Sequence, residues 1–259
     1  MKVEKSGYEI RKLKEWEKHA GPTRPDQWRE GRSAYELAKA WLRTGAPAMP
    51  EEFSELLNSS PRTRDMVVDL VHPEARLTFD GCGGNVRNSD IAFVAQCAGG
   101  KVAVTVEGKG HESFGFTVAK AYEAAIEVKL KKPRSKAVDR LTGLIPTLFS
   151  ERKQGQPKVG DLRYQLLTAT AGTLAYAMKE GAKLAVMIVH EFKTNLTDDK
   201  LHEKNHRDLE AFVRRLSGTK TEILPGTLIG PFEDLPGGNL YPHPVVPLMI
   251  GKVVTNCRE

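Results

Sequence analysis

Apolar and polar positions alternate with period two through residues 89–109, SDIAFVAQCAGGKVAVTVEGK, broken only at Ala98-Gly99-Gly100. Two alternating runs around a glycine turn predict a β-hairpin. With a two-residue loop at Ala98-Gly99, Cys97 pairs with Gly100, and Ile91, Phe93 and Ala95 face Val106, Val104 and Val102. The opposite face then pairs Ala92 with Thr105, Val94 with Ala103 and Asp90 with Glu107, and Lys109 projects from the Glu107 side. Elsewhere the pattern lengthens to helical spacing. Helices are expected at 33–45, 51–57, 117–130, 140–149, 161–179 and 199–216. The first has Ser33 and Glu36 as a capping box and Gly45 as its stop; the one at 117–130 turns Val118, Ala121, Tyr122, Ala125 and Val128 inward. Alternation predicts a first sheet strand at 74–80, and nearly continuous apolar runs predict strands at 183–192 and 245–254. Residues 65–72 suit a helix or a strand equally.

This order predicts a single α/β domain, its mixed central sheet carrying an antiparallel β-meander flanked by helices. Residues 1–32 read as an N-terminal appendage packed through Trp16 and Trp28, 33–195 as the core, and 196–259 as an extension adding a helix and a strand.

The hairpin register gathers two carboxylates and an ammonium. Like charges directly opposite in a sheet repel, and Lys109 alone leaves Asp90 and Glu107 with one excess negative charge, which a divalent metal would cancel. The 259 residues are 40% hydrophobic and 28% charged, the balance of an ordinary globular protein, and the net charge of +6 favours a phosphate-backbone partner over a cationic one. Three cysteines without CxxC spacing suggest neither a disulfide framework nor a cysteine zinc site. The first residues are too charged for a signal peptide, and no apolar run approaches the roughly 18 residues of a membrane span. A cytoplasmic protein with no membrane partner is expected. Gly81-Cys82-Gly83-Gly84 reads as a turn, matching neither a dinucleotide fingerprint nor a Walker loop. His202 and His206 lie one helical turn apart, a metal-ligand spacing without a third ligand of clear phase. His111 and Glu112 read as a solvated loop pair before a candidate role beside the metal.

An Asp opening one strand and Glu-x-Lys ending the next resembles the PD-(D/E)XK, or restriction-endonuclease-like, nuclease superfamily. Ser89 stands where the superfamily's name puts proline. Within it, the GRSAYELA, VEGK and ESFG segments are similar to those of a prokaryotic family without assigned activity. The resemblance covers roughly residues 33–195 and implies a restriction-endonuclease-like core. It also implies Mg²⁺-dependent (or Mn²⁺-dependent) hydrolysis of nucleic-acid phosphodiesters, with DNA the expected substrate and a homodimer among the allowed assemblies. Asp90 and Glu107 would hold the metal and Lys109 would serve catalysis. Glu36, on the first core helix, would complete the metal site, and Gln165 would face the cleft. Arg87, Lys131, Lys132, Arg134 and Arg163 are the candidate phosphate contacts. The alternatives are a catalytically silent nucleic-acid-binding protein on the same fold, or a structural role in which Glu107 and Lys109 form only a surface ion pair.

Overall fold

The computed structural model describes residues 1–43, 45–82, 87–238 and 245–258. The chain opens with two short strands, β1 (Lys2–Lys5) and β2 (Tyr8–Glu9), then helices α1 (Leu13–Ala20), α2 (Ser33–Trp41) and α3 (Glu51–Asn58). A meander follows: β3 (Leu70–Leu77), β4 (Arg87–Cys97) and β5 (Gly100–Lys109). Helices α4 (Val118–Lys131), α5 (Ala137–Leu148) and α6 (Tyr164–Lys179) lead to β6 (Leu184–Lys193). Helix α7 (Asp199–Ser217) leads to β7 (Thr227–Phe232) and β8 (Leu248–Asn256). The strands form one eight-stranded sheet in the order β2-β1-β3-β4-β5-β6-β8-β7. Strands β3, β4 and β5 pair antiparallel, while β5–β6 and β6–β8 are parallel. The fold is therefore mixed α/β, with the antiparallel meander flanked by helices.

The hairpin register is the one the alternation predicts, from Ile91 opposite Val106 to Cys97 opposite Gly100. Parallel pairing of β5 with β6 requires a long crossover, which α4 to α6 supply. Strand β6 is buried along all but its last residue, because helices cover both sheet faces. On one face Leu144, Leu166, Leu174 and Phe212 of α5, α6 and α7 pack against Ala103, Met187 and Ile250. On the other, Leu37 and Trp41 of α2 and Phe53 of α3 pack against Phe93, Val104, Val186 and Ile188. The site described below lies where α2 and α6 approach the same end of the meander from opposite faces.

Several expectations change. Residues 1–32 put β1 into the sheet beside β3, with Val3 opposite Val71, and they bury Val3, Ile10 and Trp16. A charged four-residue strand is too short to show alternation. The first meander strand starts at Leu70, so the ambiguous 65–72 segment is partly strand. Helix α4 buries only Val118 and Ala125, leaving Tyr122 and Val128 39% and 43% exposed. It packs on α5 and the turn at Val159–Asp161 rather than on the sheet. Ser33 lies inside α2, whose cap position is Arg32, and the expected capping box is absent. The expected glycine turn at 81–84 and part of the C-terminal Pro/Gly loops run into residues outside those described. No helix among the described residues is long and apolar enough to cross a membrane.

Candidate active site

The end of the meander brings charged residues from three adjacent strands into one cavity of about 280 Å³. Glu74 of β3, Asp90 of β4, Glu107 and Lys109 of β5 and Gln165 of α6 all line it. Glu107 is 3% and Lys109 4% exposed, whereas Asp90 and Glu74 are partly exposed. Both Glu107 oxygens are engaged. Oε1 accepts from the Lys109 ammonium at 2.8 Å and the Gln165 amide at 2.5 Å, and Oε2 is ion-paired with the Arg87 guanidinium. Arg87 also donates to Thr168 Oγ1 at 3.2 Å, so the first turns of α6 and β4 hold Glu107 from two sides. The Lys109 ammonium stands 5.1 Å from the centre of the Phe114 ring, a cation–π contact that fixes it further.

The residue between Glu107 and Lys109 is glycine for a spatial reason. A Cβ at Gly108 would stand 3.3 Å from both Asp90 Oδ2 and the Ser33 Cβ. Its absence lets Asp90 Oδ2 accept the Gly108 N–H at 2.6 Å and lets the start of α2 close over the strand end. The following loop clasps α2. The His111 N–H donates to the Gly31 carbonyl at 2.8 Å, and Glu112 accepts from the N–H groups of Gly110 at 2.9 Å and Ser33 at 3.2 Å. Glu112 thus supplies the carboxylate cap of α2 from elsewhere in the chain.

Glu74 was not singled out by the sequence pattern, which made it the first polar residue of a strand. The β3–β4 register pairs Pro73 with Ile91 and Ala75 with Ser89, which sets Glu74 opposite Asp90. Its backbone is left-handed, with φ of 49°, a conformation costly for a non-glycine residue. The Lys5 ammonium holds it there, donating to the Glu74 carbonyl at 2.5 Å and the Pro73 carbonyl at 3.2 Å. The only sequence signal that would have found Glu74 is its place one strand beyond Asp90 on the same face.

The electrostatics separate the three carboxylates. Burial pushes the Asp90 carboxyl well above its ordinary value, and the charges of Glu107 and Glu74 push it further. Burial pushes Glu74 up to about 7 against the Asn88 hydrogen bond and the Lys5 charge, with a smaller upward push from Glu107. Burial also works to raise Glu107, but the Lys109 and Arg87 cations outweigh it and hold that carboxyl below the ordinary range. The three carboxylates outnumber Lys109 and Arg87 by one, and the Lys5 charge acts on Glu74 from outside that set.

Three expected site residues lie elsewhere or have other partners. Glu36, expected to complete the metal site, does not line this cavity. Its Oε1 accepts the Gly31 N–H at 2.8 Å, the Lys39 ammonium stands 3.5 Å from Oε2, and it faces a separate cavity with Arg43, Thr255 and Cys257. The reason is the helix phase, which puts Glu36 on the same stripe as Lys39, Ala40 and Arg43. Arg163, expected on phosphate, is paired with Asp208 at 2.8 Å and donates to the Gly115 carbonyl at 2.9 Å. Arg87, also expected on phosphate, is spent inside the site on Glu107 and Thr168. Lys131, Lys132 and Arg134 are exposed at the end of α4. His202 and His206 have separate partners, Glu191 at 2.6 Å and Lys252 at 3.5 Å.

Among the described residues, no three His, Cys, Asp or Glu side chains form a group that could hold a metal ion. The donor chemistry nevertheless suits a hard cation. Mg²⁺ takes one or two carboxylates and completes its shell with water and phosphate, and Asp90 and Glu74 offer such oxygens.

The protein is thus a mixed α/β domain with a carboxylate–lysine–amide cluster at one end of its antiparallel meander. Residues 9–257 match the family model described as "Domain of unknown function (DUF6946)", and the chain belongs to that family. No curated protein and no solved structure matched the chain.

Proposed function

We propose that this chain is a metal-dependent nuclease of the PD-(D/E)XK kind, hydrolysing phosphodiester bonds of nucleic acid, with DNA the expected substrate. The observation that supports the reading best is the meeting of Asp90, Glu107, Lys109 and Gln165 in one cavity, from three separate elements. Chance placement of a surface Glu-x-Lys would leave the pair solvated, but here both residues are almost fully buried and hydrogen-bonded to each other.

In this reading Lys109 places a positive charge where negative charge develops on the reacting phosphate, and its low exposure makes that charge effective. Gln165 and Arg87 hold the Glu107 carboxylate still, which in turn fixes the ammonium. Asp90, anchored by the Gly108 N–H, presents its other oxygen to the cavity. A divalent cation, Mg²⁺ or Mn²⁺, held by carboxylates of this cluster would neutralise phosphate charge there. The exposed Lys131, Lys132 and Arg134 would contribute salt-sensitive backbone attraction.

The second reading, a silent nucleic-acid-binding protein, is favoured by the full engagement of both Glu107 oxygens by protein donors. Incubation of the purified protein with plasmid, linear duplex, single-stranded DNA and RNA, in Mg²⁺ or Mn²⁺, separates the two. Cleavage lost in Lys109→Ala supports the nuclease. Binding without cleavage in any metal, and indifferent to Mg²⁺, would sink it.

A further inference from the structure

Both Glu107 oxygens already accept protein donors, while two other carboxylates each keep an oxygen that accepts none. Among the described residues, Asp90 Oδ2 takes the Gly108 N–H and Glu74 Oε2 takes the Asn88 amide at 3.2 Å, leaving Asp90 Oδ1 and Glu74 Oε1 without a protein donor. Glu74 lies between the paired Pro73–Ile91 and Ala75–Ser89, as Asp90 does on β4, and both line the 280 Å³ cavity. Cations are unevenly placed around them. Arg87 and Lys109 both serve Glu107, whereas the nearby Lys5 spends its ammonium on backbone carbonyls of Pro73 and Glu74. Among the described residues, neither Asp90 nor Glu74 therefore has a side-chain ion pair, and the Lys5 charge acts on Glu74 without bonding its carboxylate.

We infer that Glu74 and Asp90 together, rather than Asp90 with Glu107 or Glu36, hold the divalent cation of this site. The inference rests on the reading of the site as metal-dependent and assigns its ligands. Two facing carboxylates on adjacent strands match the needs of Mg²⁺, which keeps several waters and asks for few protein oxygens. They also explain why a sheet tolerates like charges directly opposite each other, an arrangement that otherwise weakens the pairing. Glu107 then acts as the anchor for Lys109 and Arg87. Glu36, held by the Gly31 N–H and Lys39 beside another cavity, takes no part.

The test is calorimetric titration of Mn²⁺ into the metal-free full chain, which requires no catalysis. We expect one site in wild type, an affinity loss of tenfold or more in Glu74→Gln, and an unchanged affinity in Glu36→Gln. Glu74→Asp, which keeps the charge on a shorter arm, should fall between wild type and Glu74→Gln. Unfolding curves of each variant establish that it is folded before titration. Mn²⁺ binding by folded Glu74→Gln with wild-type affinity overturns the assignment and leaves the metal reading standing, with Glu107 as the second ligand. No Mn²⁺ binding by wild type overturns both.

Discussion

Two clusters of buried charge sit on the same face of the sheet, one strand apart, and they are built differently. Lys109 of the first lies beside Glu191 of the second in the β5–β6 register. Glu191 is held between His202 at 2.6 Å and Lys252 at 2.7 Å, with all three side chains 5% exposed or less. Burial works to raise its carboxyl, and His202 and Lys252 more than offset this. Nothing in that cluster repeats a charge of the same sign against Glu191, and α7 closes over it. The Glu107 cluster instead opens onto a cavity, sets three carboxylates on adjacent strands, and gives Lys109 and Arg87 to one of them. A closed, balanced cluster is what a fold keeps for structure. An open one with surplus charge costs stability and makes sense when a ligand completes it.

The largest effects should divide along this line. Lys109→Ala is expected to lower cleavage by ~10²–10⁴-fold, the usual contribution of one positioned catalytic group, while Mn²⁺ affinity measured by calorimetry stays close to wild type. Glu191→Gln should leave the chemistry of a folded protein intact but lower unfolding free energy by about 3–5 kcal/mol, because Lys252 stays buried without its counter-charge. Denaturant unfolding measures this directly. A Glu191→Gln variant as stable as wild type would erase the distinction between the two clusters.

The next effect is smaller and has opposite signs at Glu74 and at His190. Glu74 binds its proton up to about pH 7 when folded, against an ordinary value near 4.5. The folded state therefore holds more protons between those values, and this contribution to stability falls as pH rises through the window. Metal-free Glu74→Gln should accordingly be more stable than wild type at pH 8, by about 1–3 kcal/mol, and nearly equal to it at pH 4. Asp90→Asn should shift the same way, since its carboxyl is also raised. Beyond the Glu191 cluster the sign reverses. Burial lowers His190 to about 3, so the unfolded chain binds the extra proton below 6.5 and stability falls on acidification. Unfolding curves at pH 4, 6 and 8 in chelator would show both slopes. A Glu74→Gln variant less stable than wild type at pH 8 would mean that the open cluster carries no surplus charge.

What could be read from the sequence was local or strictly periodic. The hairpin register followed from alternation and one glycine turn, and with it the placing of Asp90, Glu107 and Lys109 on one face. Gln165 followed from the resemblance and the order of elements. Glu74 did not, because its importance depends on which strand pairs with β4 and in what register, a long-range fact with no local signature. Arg87 looked like a free cation leading into the site, and its engagement with Glu107 arises only when β4 and β5 pair. Glu36 misled for a related reason. A capping box and a site residue can look alike in sequence, and the helix phase, which the packing of α2 on the far sheet face decides, turns Glu36 to Lys39 and the Gly31 N–H. Strand β1 was invisible because four residues with two lysines carry no pattern, yet Val3 is fully buried.

The smallest expected effect is at Glu36. Glu36 is a buried carboxylate near the site in sequence order but tied to α2 by the Gly31 N–H and by Lys39. Glu36→Gln keeps an acceptor for Gly31 and loses only the ion pair with Lys39, whose side chain is 41% exposed. The stability cost should be about 1 kcal/mol or less, and Mn²⁺ affinity should stay within about twofold of wild type, a difference of ~0.4 kcal/mol. Calorimetry and denaturant unfolding on the same preparation read both quantities. A tenfold loss of Mn²⁺ affinity in a folded Glu36→Gln would bring α2 into the metal site and move the boundary of the open cluster across the sheet.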